Sequence, residues 1–352
     1  MNIAEAKAAL DSLIKKSRVH LYKPIQIAEI LHRDRVHKDI DLQNLNSYRN
    51  GSKAWRDAIT NRFVGRSSTS SARYQDDIFN ENAIPPHVLS VLGAENAAKG
   101  GIVEAYIYRR FTDRFSQMSS ALQYSDENDR GTFSILEFIN LFWHNPGLRR
   151  SIDKIYEVVV YSLFSVLVEA LEVSVTISIN EEKADVLAEF EDFTKMVVGL
   201  SSDNRLLHTP ARIYRVGVTN AADRGLDMYA NFGMAIQIKH LSLTPELAEN
   251  IVGSVTADRI VIVCKAGEKA LIVSLLNQIG WKARIQSIIT ENDLEIWYER
   301  ALRGKFGQEI GDKMLLTLKE QIIAEFPASN NAEFTQFYEG RNYNLLTDDA
   351  WV

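Results

Sequence analysis

Asp227, Gln237 and Lys239 are the residues whose types and spacing best suit them to chemistry. They lie in the stretch 219–241, TNAADRGLDMYANFGMAIQIKHL. Asp227 opens one strand-like run. Gln237 and Lys239 occupy alternate positions of the next, so their side chains share a face. Asn231 and Gly233 suit a tight turn between the runs, and folding back there brings Asp227 beside the other two. An aspartate is a hard oxygen ligand for Mg²⁺. The Gln237 side-chain carbonyl, or the backbone carbonyl of Ile238, offers a second oxygen without adding charge. Such an ion acidifies a bound water and offsets charge at phosphorus. Lys239 would position the attacking water or stabilise the developing negative charge. The parts add up to phosphodiester hydrolysis. The bland reading of the same lysine is a solvated strand end, and its place in an otherwise apolar strand weighs against that.

These residues need a rigid sheet behind them, and the second half of the chain supplies the pattern for one. Strand-period runs are expected at 173–179, 212–218, 226–232, 234–241, 259–264 and 283–289. Helices are expected at 181–200, from Thr244 to Val252, at 268–279 and around Trp297 and Leu302. Strands alternating with helices predict an α/β (α+β) core with a mixed central sheet flanked by helices. The first half reads as helical. Apolar spacing predicts a helix at 4–15, Pro24 suits the first turn of another, and Ser52 is placed to cap a third that ends at Gly65. A further helix at 94–122 is interrupted at Gly100 and Gly101. Residues 124–132, YSDENDRGT, read as a linker. The expected division is a helical, basic region at 1–130, a core at 131–326 and an irregular tail at 327–352.

The 352 residues are 46% hydrophobic and carry 40 Lys+Arg against 46 Asp+Glu, a formal charge of −6. That content allows a sizeable core. A single cysteine, Cys264, excludes a disulfide scaffold and a Cys-rich zinc module and fits a reducing, cytoplasmic setting. The apolar stretch 155–171 is short for a membrane span and carries Glu157 and Glu169, so it reads as a buried helix and no membrane partner is expected. Charge is unevenly placed. Residues 1–75 hold 14 Lys+Arg and 7 Asp+Glu, whereas the remainder is acidic. Such asymmetry hints at nucleic-acid contact. No G-x-S-x-G elbow, phosphate-binding Walker loop or paired histidine motif occurs.

The run from Asp227 to Lys239 resembles the D…(E/Q)xK half of the PD-(D/E)xK nuclease motif, with Gln237 where Glu is commoner. The blocks ADRGLDMYANFG and AIQIKHLSL, with KPIQIAEILHRDR (23–35), SKAWRDAI (52–59) and RSSTSSARYQDDIF (66–79), resemble the HaeII-type family of type II restriction endonucleases. The similarity runs from about residue 4 to residue 297. The resemblance implies a PD-(D/E)xK-like core and a Mg²⁺-dependent enzyme cutting both strands of DNA at a near-palindrome with a GCGC core, RGCGCY. It assigns catalysis to Asp227, Gln237 and Lys239. A companion DNA methyltransferase is then expected for host protection, not as a bound subunit. Cutting both strands of a symmetric site calls for two active sites on a two-fold axis, hence a homodimer.

Nucleases of this kind often carry a further glutamate on a preceding helix. Glu157 is the first choice, because a carboxylate in so apolar a helix needs a partner; Glu189 and Glu191 are alternatives. Asp223 reads as a turn residue or an outer partner of Asp227, and His240 faces away from Lys239. For DNA reading the polar stretch 66–75 stands out. Arg66, Ser68, Thr69, Ser70 and Ser71 offer donors to phosphate, Arg73 suits guanine O6 and N7, and Gln75 suits adenine or phosphate. Lys53, Arg56 and Arg62 on the preceding helix would grip the backbone. Arg109, Arg110 and Arg114 form a second basic cluster, either a solvated face or a phosphate contact. Two other readings stay open: a DNA-binding protein that does not cut, and a nuclease directed by DNA structure rather than sequence.

Overall fold

The computed structural model describes residues 1–17, 20–65, 67–68, 75–144, 148–216, 226–240, 242–254, 257–266, 285–325 and 331–351. The chain divides into two compact units. Of the described residues, 1–158 and 318–351 belong to the first, and 159–216 with 226–317 belong to the second.

The first unit is helical. Helices α1 (Ile3–Lys16), α2 (Tyr22–His37), α3 (Gly51–Val64), α4 (Pro86–Ala98) and α5 (Ile102–Glu127) surround one apolar core. The α1 N-terminus is fixed by a capping box between Asn2 and Glu5. The expected break at Gly100 and Gly101 separates α4 from α5. Gly101 has φ +107°, and a Cβ there would meet the Arg35 guanidinium at 3.0 Å. Ser52 does not cap α3. It lies buried in the first turn, where its hydroxyl accepts from Gln26 Nε2 at 2.9 Å. Helices α6 (Ile135–His144) and α7 (Ile152–Ala170) follow. The stretch read as a linker is instead the end of α5 followed by a tight turn. Asp129 accepts from Gly131 and Thr132, and Tyr124 packs its ring against buried Phe133. The two units divide within α7, between Val158 and Val159, rather than at residue 130.

The chain end is not an irregular wrap. A helix spans Asn331–Gly340, and short turns follow at Tyr343–Leu345 and Asp349–Trp351. Phe334, Phe337, Tyr343 and Trp351 enter the same core as α1–α5. Burying four aromatic rings this way brings a large hydrophobic gain, which local periodicity cannot reveal. Charged ties accompany it. Arg341 pairs with Glu29 at 2.6 Å, and Tyr343 donates to Glu104.

The second unit holds two sheets. Strands β1 (Ser174–Ser178) and β2 (Leu206–Pro210) form an antiparallel pair, and β2 is a strand that the alternation pattern did not single out. Between them the expected long helix is broken into a short one, Ala184–Glu189, and a π turn, Thr194–Val198. The larger sheet has the order β3 (Ile213–Arg215), β4 (Met228–Ala230), β5 (Met234–Lys239), β6 (Arg259–Cys264), β7 (Ile285–Thr290). The β3–β4 and β4–β5 pairs are antiparallel, and β5–β6 and β6–β7 are parallel. The sheet is therefore mixed, as expected. Residues 245–254 and 291–303 are helical. The expected helix at 268–279 lies outside the described residues. No described helix is long and apolar enough to cross a membrane.

Candidate active site

The hairpin that carries the site is set by its turn. Gly233 has φ +84°, which glycine adopts without strain, and its N–H donates to Ala230. The Asn231 side chain bonds Arg212 N and Pro210 O, both at 2.9 Å, and so pins the turn to the strand before it. This fixes the register Met228↔Ile236 and Tyr229↔Ala235. One step further, Asp227 lies opposite Gln237. Directly opposed residues share a face, so Asp227, Gln237 and Lys239 stand on one side of the sheet.

The side chains follow that register. Gln237 Nε2 donates to Asp227 Oδ2 at 2.5 Å, and the Ile238 N–H donates to the same oxygen at 2.7 Å. The carboxylate thus takes the place of a main-chain acceptor just where the β4–β5 ladder ends. Gln237 is 2% exposed. Its face continues into Ala235, Ile260, Ile262 and Cys264, which pack with Leu243, Ala248 and Ile251. Across the sheet Ile236, Ile238, Val261 and Val263 are also buried. Both faces of β5 are covered, as is usual for a parallel strand. Lys239 is the first residue past this dry section and is partly exposed. No hydrogen bond or ion pair of its ammonium is found among the described residues. Cys264 pairs in register with Lys239, but burial pushes its thiol up to about 11, which leaves it inert as a nucleophile.

The donor set suits Mg²⁺. That ion is usually held by one or two carboxylates and keeps several waters or phosphate oxygens. Asp227 gives the carboxylate. Turning the Gln237 amide by half a rotation presents Oε1 where Nε2 now stands. The Ile238 N–H points toward Asp227, and in a strand the carbonyl of the same residue faces the same edge. Among the described residues no group of three or more His, Cys, Asp or Glu gathers to hold a metal. A softer or higher-charge site of that kind is therefore not what the described residues build.

The other sequence candidates fall in varied places. Glu157 is buried on α7, with both oxygens 2.7 Å from Lys154 Nζ. Its expected need for a partner is met at least by that lysine. Glu189 is exposed, and Glu191 pairs with Lys195 and accepts from Ser202 N. Asp223, Arg66, Thr69, Ser70, Ser71 and Arg73 lie outside the described residues. Ser68 is half-buried. Arg56 is not on a solvated helix face: it is 1% exposed and donates to Gln26, Asp57 and Gln75. The helical period put it beside Lys53 in sequence but turned it inward. Lys53 pairs with Asp76 at 2.8 Å and Arg62 with Glu333. Two arginines of the second basic cluster are also engaged inside the fold. Arg114 donates to the Ile14 and Ser17 carbonyls at the end of α1, and burial lowers its guanidinium to about 10. Arg109 donates to the Trp351 carbonyl.

One feature of the site escaped the sequence reading. Tyr214 and Tyr229 are paired across β3 and β4, their rings stacked at 5.1 Å, and both are exposed. Tyr229 is two residues from Asp227 and so stands on its face. The i, i+2 spacing of Asp227 and Tyr229 was the available signal.

Comparison with known proteins places this chain in the class of restriction endonucleases. The profile of the HaeII restriction endonuclease family matches residues 6–343. The chain is 59% identical over 347 residues to the type II restriction enzyme HaeII of Haemophilus aegyptius, covering 99% of both chains. It is 57% identical over 342 residues to the type II restriction enzyme NgoBI of Neisseria gonorrhoeae, covering 97% of both. No solved structure gives a significant match. The chain belongs to the HaeII restriction endonuclease family and is, with it, a restriction endonuclease.

Proposed function

We propose that the protein makes Mg²⁺-dependent double-strand cuts in DNA at a short near-palindrome with a GCGC core, RGCGCY, and works as a homodimer. The observation that carries the catalytic part is the convergence of Asp227, Gln237 and the Ile238 N–H at one carboxylate oxygen, with Lys239 on the same face. In this reading Asp227, Gln237 and the Ile238 carbonyl hold the metal. Mg²⁺, when bound, supplies Lewis acidity at the phosphoryl oxygen and lowers the pKa of a bound water. Asp227 is positioned before any ligand arrives by hydrogen bonds from Gln237 and the Ile238 N–H; ligation through Gln237 Oε1 would give up the first by a turn of the amide and keep the second. Gln237 orients the carboxylate and adds a neutral oxygen, keeping the site's charge low enough for a phosphate to approach. Lys239, whose ammonium has no partner among the described residues, would serve the attacking water or the negative charge that develops on phosphorus. The burial of Gln237 keeps bulk water from the floor of the site and strengthens these interactions. Glu157 remains the proposed upstream carboxylate.

DNA reading is assigned to residues 66–75, with Lys53 and Arg62 as phosphate contacts that would exchange Asp76 and Glu333 for the duplex. Arg56 is assigned to holding Gln75 from inside. Digestion of a sequenced plasmid with Mg²⁺ tests the reading. Discrete fragments ending within RGCGCY support it. A smear would favour a structure-directed nuclease, and intact plasmid with retained binding would favour a protein that binds without cutting.

A further inference from the structure

Residues 171–206 hold nine of the nineteen large hydrophobic side chains that stand exposed among the described residues, in about a tenth of the chain. Met196 is 87% exposed, Val197 68%, and Val186, Phe190 and Phe193 more than half. Over the same stretch only Leu187 and Leu200 are buried. Among the described residues the strands β1 and β2 pair only with each other, and a two-stranded hairpin with so small a core is marginal in water. A monomeric protein rarely leaves such a patch uncovered.

We infer that this module is the surface on which a second copy of the chain docks. Three observations select that occupant. The stretch carries eight Asp+Glu and three Lys+Arg, a net −5, which repels a phosphate backbone rather than binding it. Leu206 pairs with Ser178 and so turns to the hairpin face opposite Ile177; at roughly 100 Å² each, the other eight side chains offer about 800 Å² of apolar surface, the ~800 Å² per partner of a stable interface. Each chain brings one set of Asp227, Gln237 and Lys239, and a two-fold contact places the same patch on both copies and so pairs two such sets. This last point rests on the proposed double-strand cutting; the first two do not. An apolar contact rimmed by like charges has a further signature. Added salt tightens it by screening the rim, whereas added salt weakens DNA binding.

Sedimentation equilibrium of the full chain without DNA or metal tests the assignment. The expected result is twice the 39.9 kDa chain mass at micromolar concentration, with a dissociation constant that falls as salt rises. Phe190→Glu with Met196→Glu should weaken association at least 100-fold while leaving the far-ultraviolet circular dichroism unchanged. Should that variant misfold, Met196→Cys decides, because Cys264 is buried. Its maleimide reaction should be slow in the dimer and fast on dilution. A wild-type chain that stays monomeric overturns the inference, as does a folded double variant that stays dimeric, or protection of Cys at 196 that appears only with DNA. A dimer that cuts nothing would defeat the functional reading and leave the interface standing; a monomer that cuts discrete fragments would do the reverse.

Discussion

Replacing Gln237 with glutamate restores the commoner nuclease residue and should make the fold depend on the metal. The Gln237 amide lies 2.5 Å from Asp227 Oδ2 and is 2% exposed. In Gln237→Glu two carboxylates meet there with no donor between them. At about 4 Å and an effective dielectric of about 20 their repulsion is about 4 kcal/mol. The chain can escape by protonating one of them, which costs about 3.7 kcal/mol at pH 7 for an ordinary glutamate. The penalty is therefore about 3–4 kcal/mol either way, or roughly a 5 °C fall in Tm for a chain of this length. Its pH dependence has a definite sign. The pair binds a proton more tightly folded than unfolded, so the deficit is present at neutral pH and vanishes below about pH 4. A divalent ion at 100 times its dissociation constant returns about 2.7 kcal/mol. Thermal melts with EDTA and with Mg²⁺, for both proteins, read all of this. A variant as stable as wild type in EDTA at pH 7, or one that gains no more from Mg²⁺ than wild type does, refutes the reasoning.

Three further predictions concern the helical unit. Burial favours the protonated form of Glu104, but hydrogen bonds from His32, Arg35, Asn96 and Tyr343 outweigh it and hold the carboxyl at about 2. That stability is present above pH 4.5 and is lost as pH falls toward 2, so Glu104→Gln should cost about 3 kcal/mol at pH 7 and flatten the acid limb of a denaturation series. Arg56→Met leaves Gln26 and Gln75 without their buried donor and should cost about 2–3 kcal/mol, with the salt slope of duplex binding unchanged; a shallower slope would return Arg56 to the DNA surface. Trp351→Ala removes a buried indole that packs on Tyr106 and bonds Glu95, and should cost about 3–5 kcal/mol in chemical denaturation.

The juxtaposition of Asp227, Gln237 and Lys239 was legible because its determinants are local. The turn at 231–233 fixes the β4–β5 register, and the period of two then puts Asp227, Gln237 and Lys239 on one face without any distant contact. The strands β3 to β7 were visible from alternation and length, whereas their order in the sheet was not. What stayed hidden depends on contacts far apart in sequence. Arg56 looked solvated until Gln26, 30 positions away, closed over it. The chain end looked irregular because its aromatic rings find their core among α1–α5. The stretch 181–200 has the amphipathic period of a surface helix, but most of its apolar residues face solvent, which periodicity alone does not reveal.

The most direct test is single-turnover cleavage of a duplex containing one RGCGCY site, measured for wild type, Asp227→Ala and Lys239→Ala, with binding followed in parallel. Both variants should bind the duplex within a few-fold of wild type and cut it at least ~100-fold more slowly. Cleavage at the wild-type rate by either one would contradict the account.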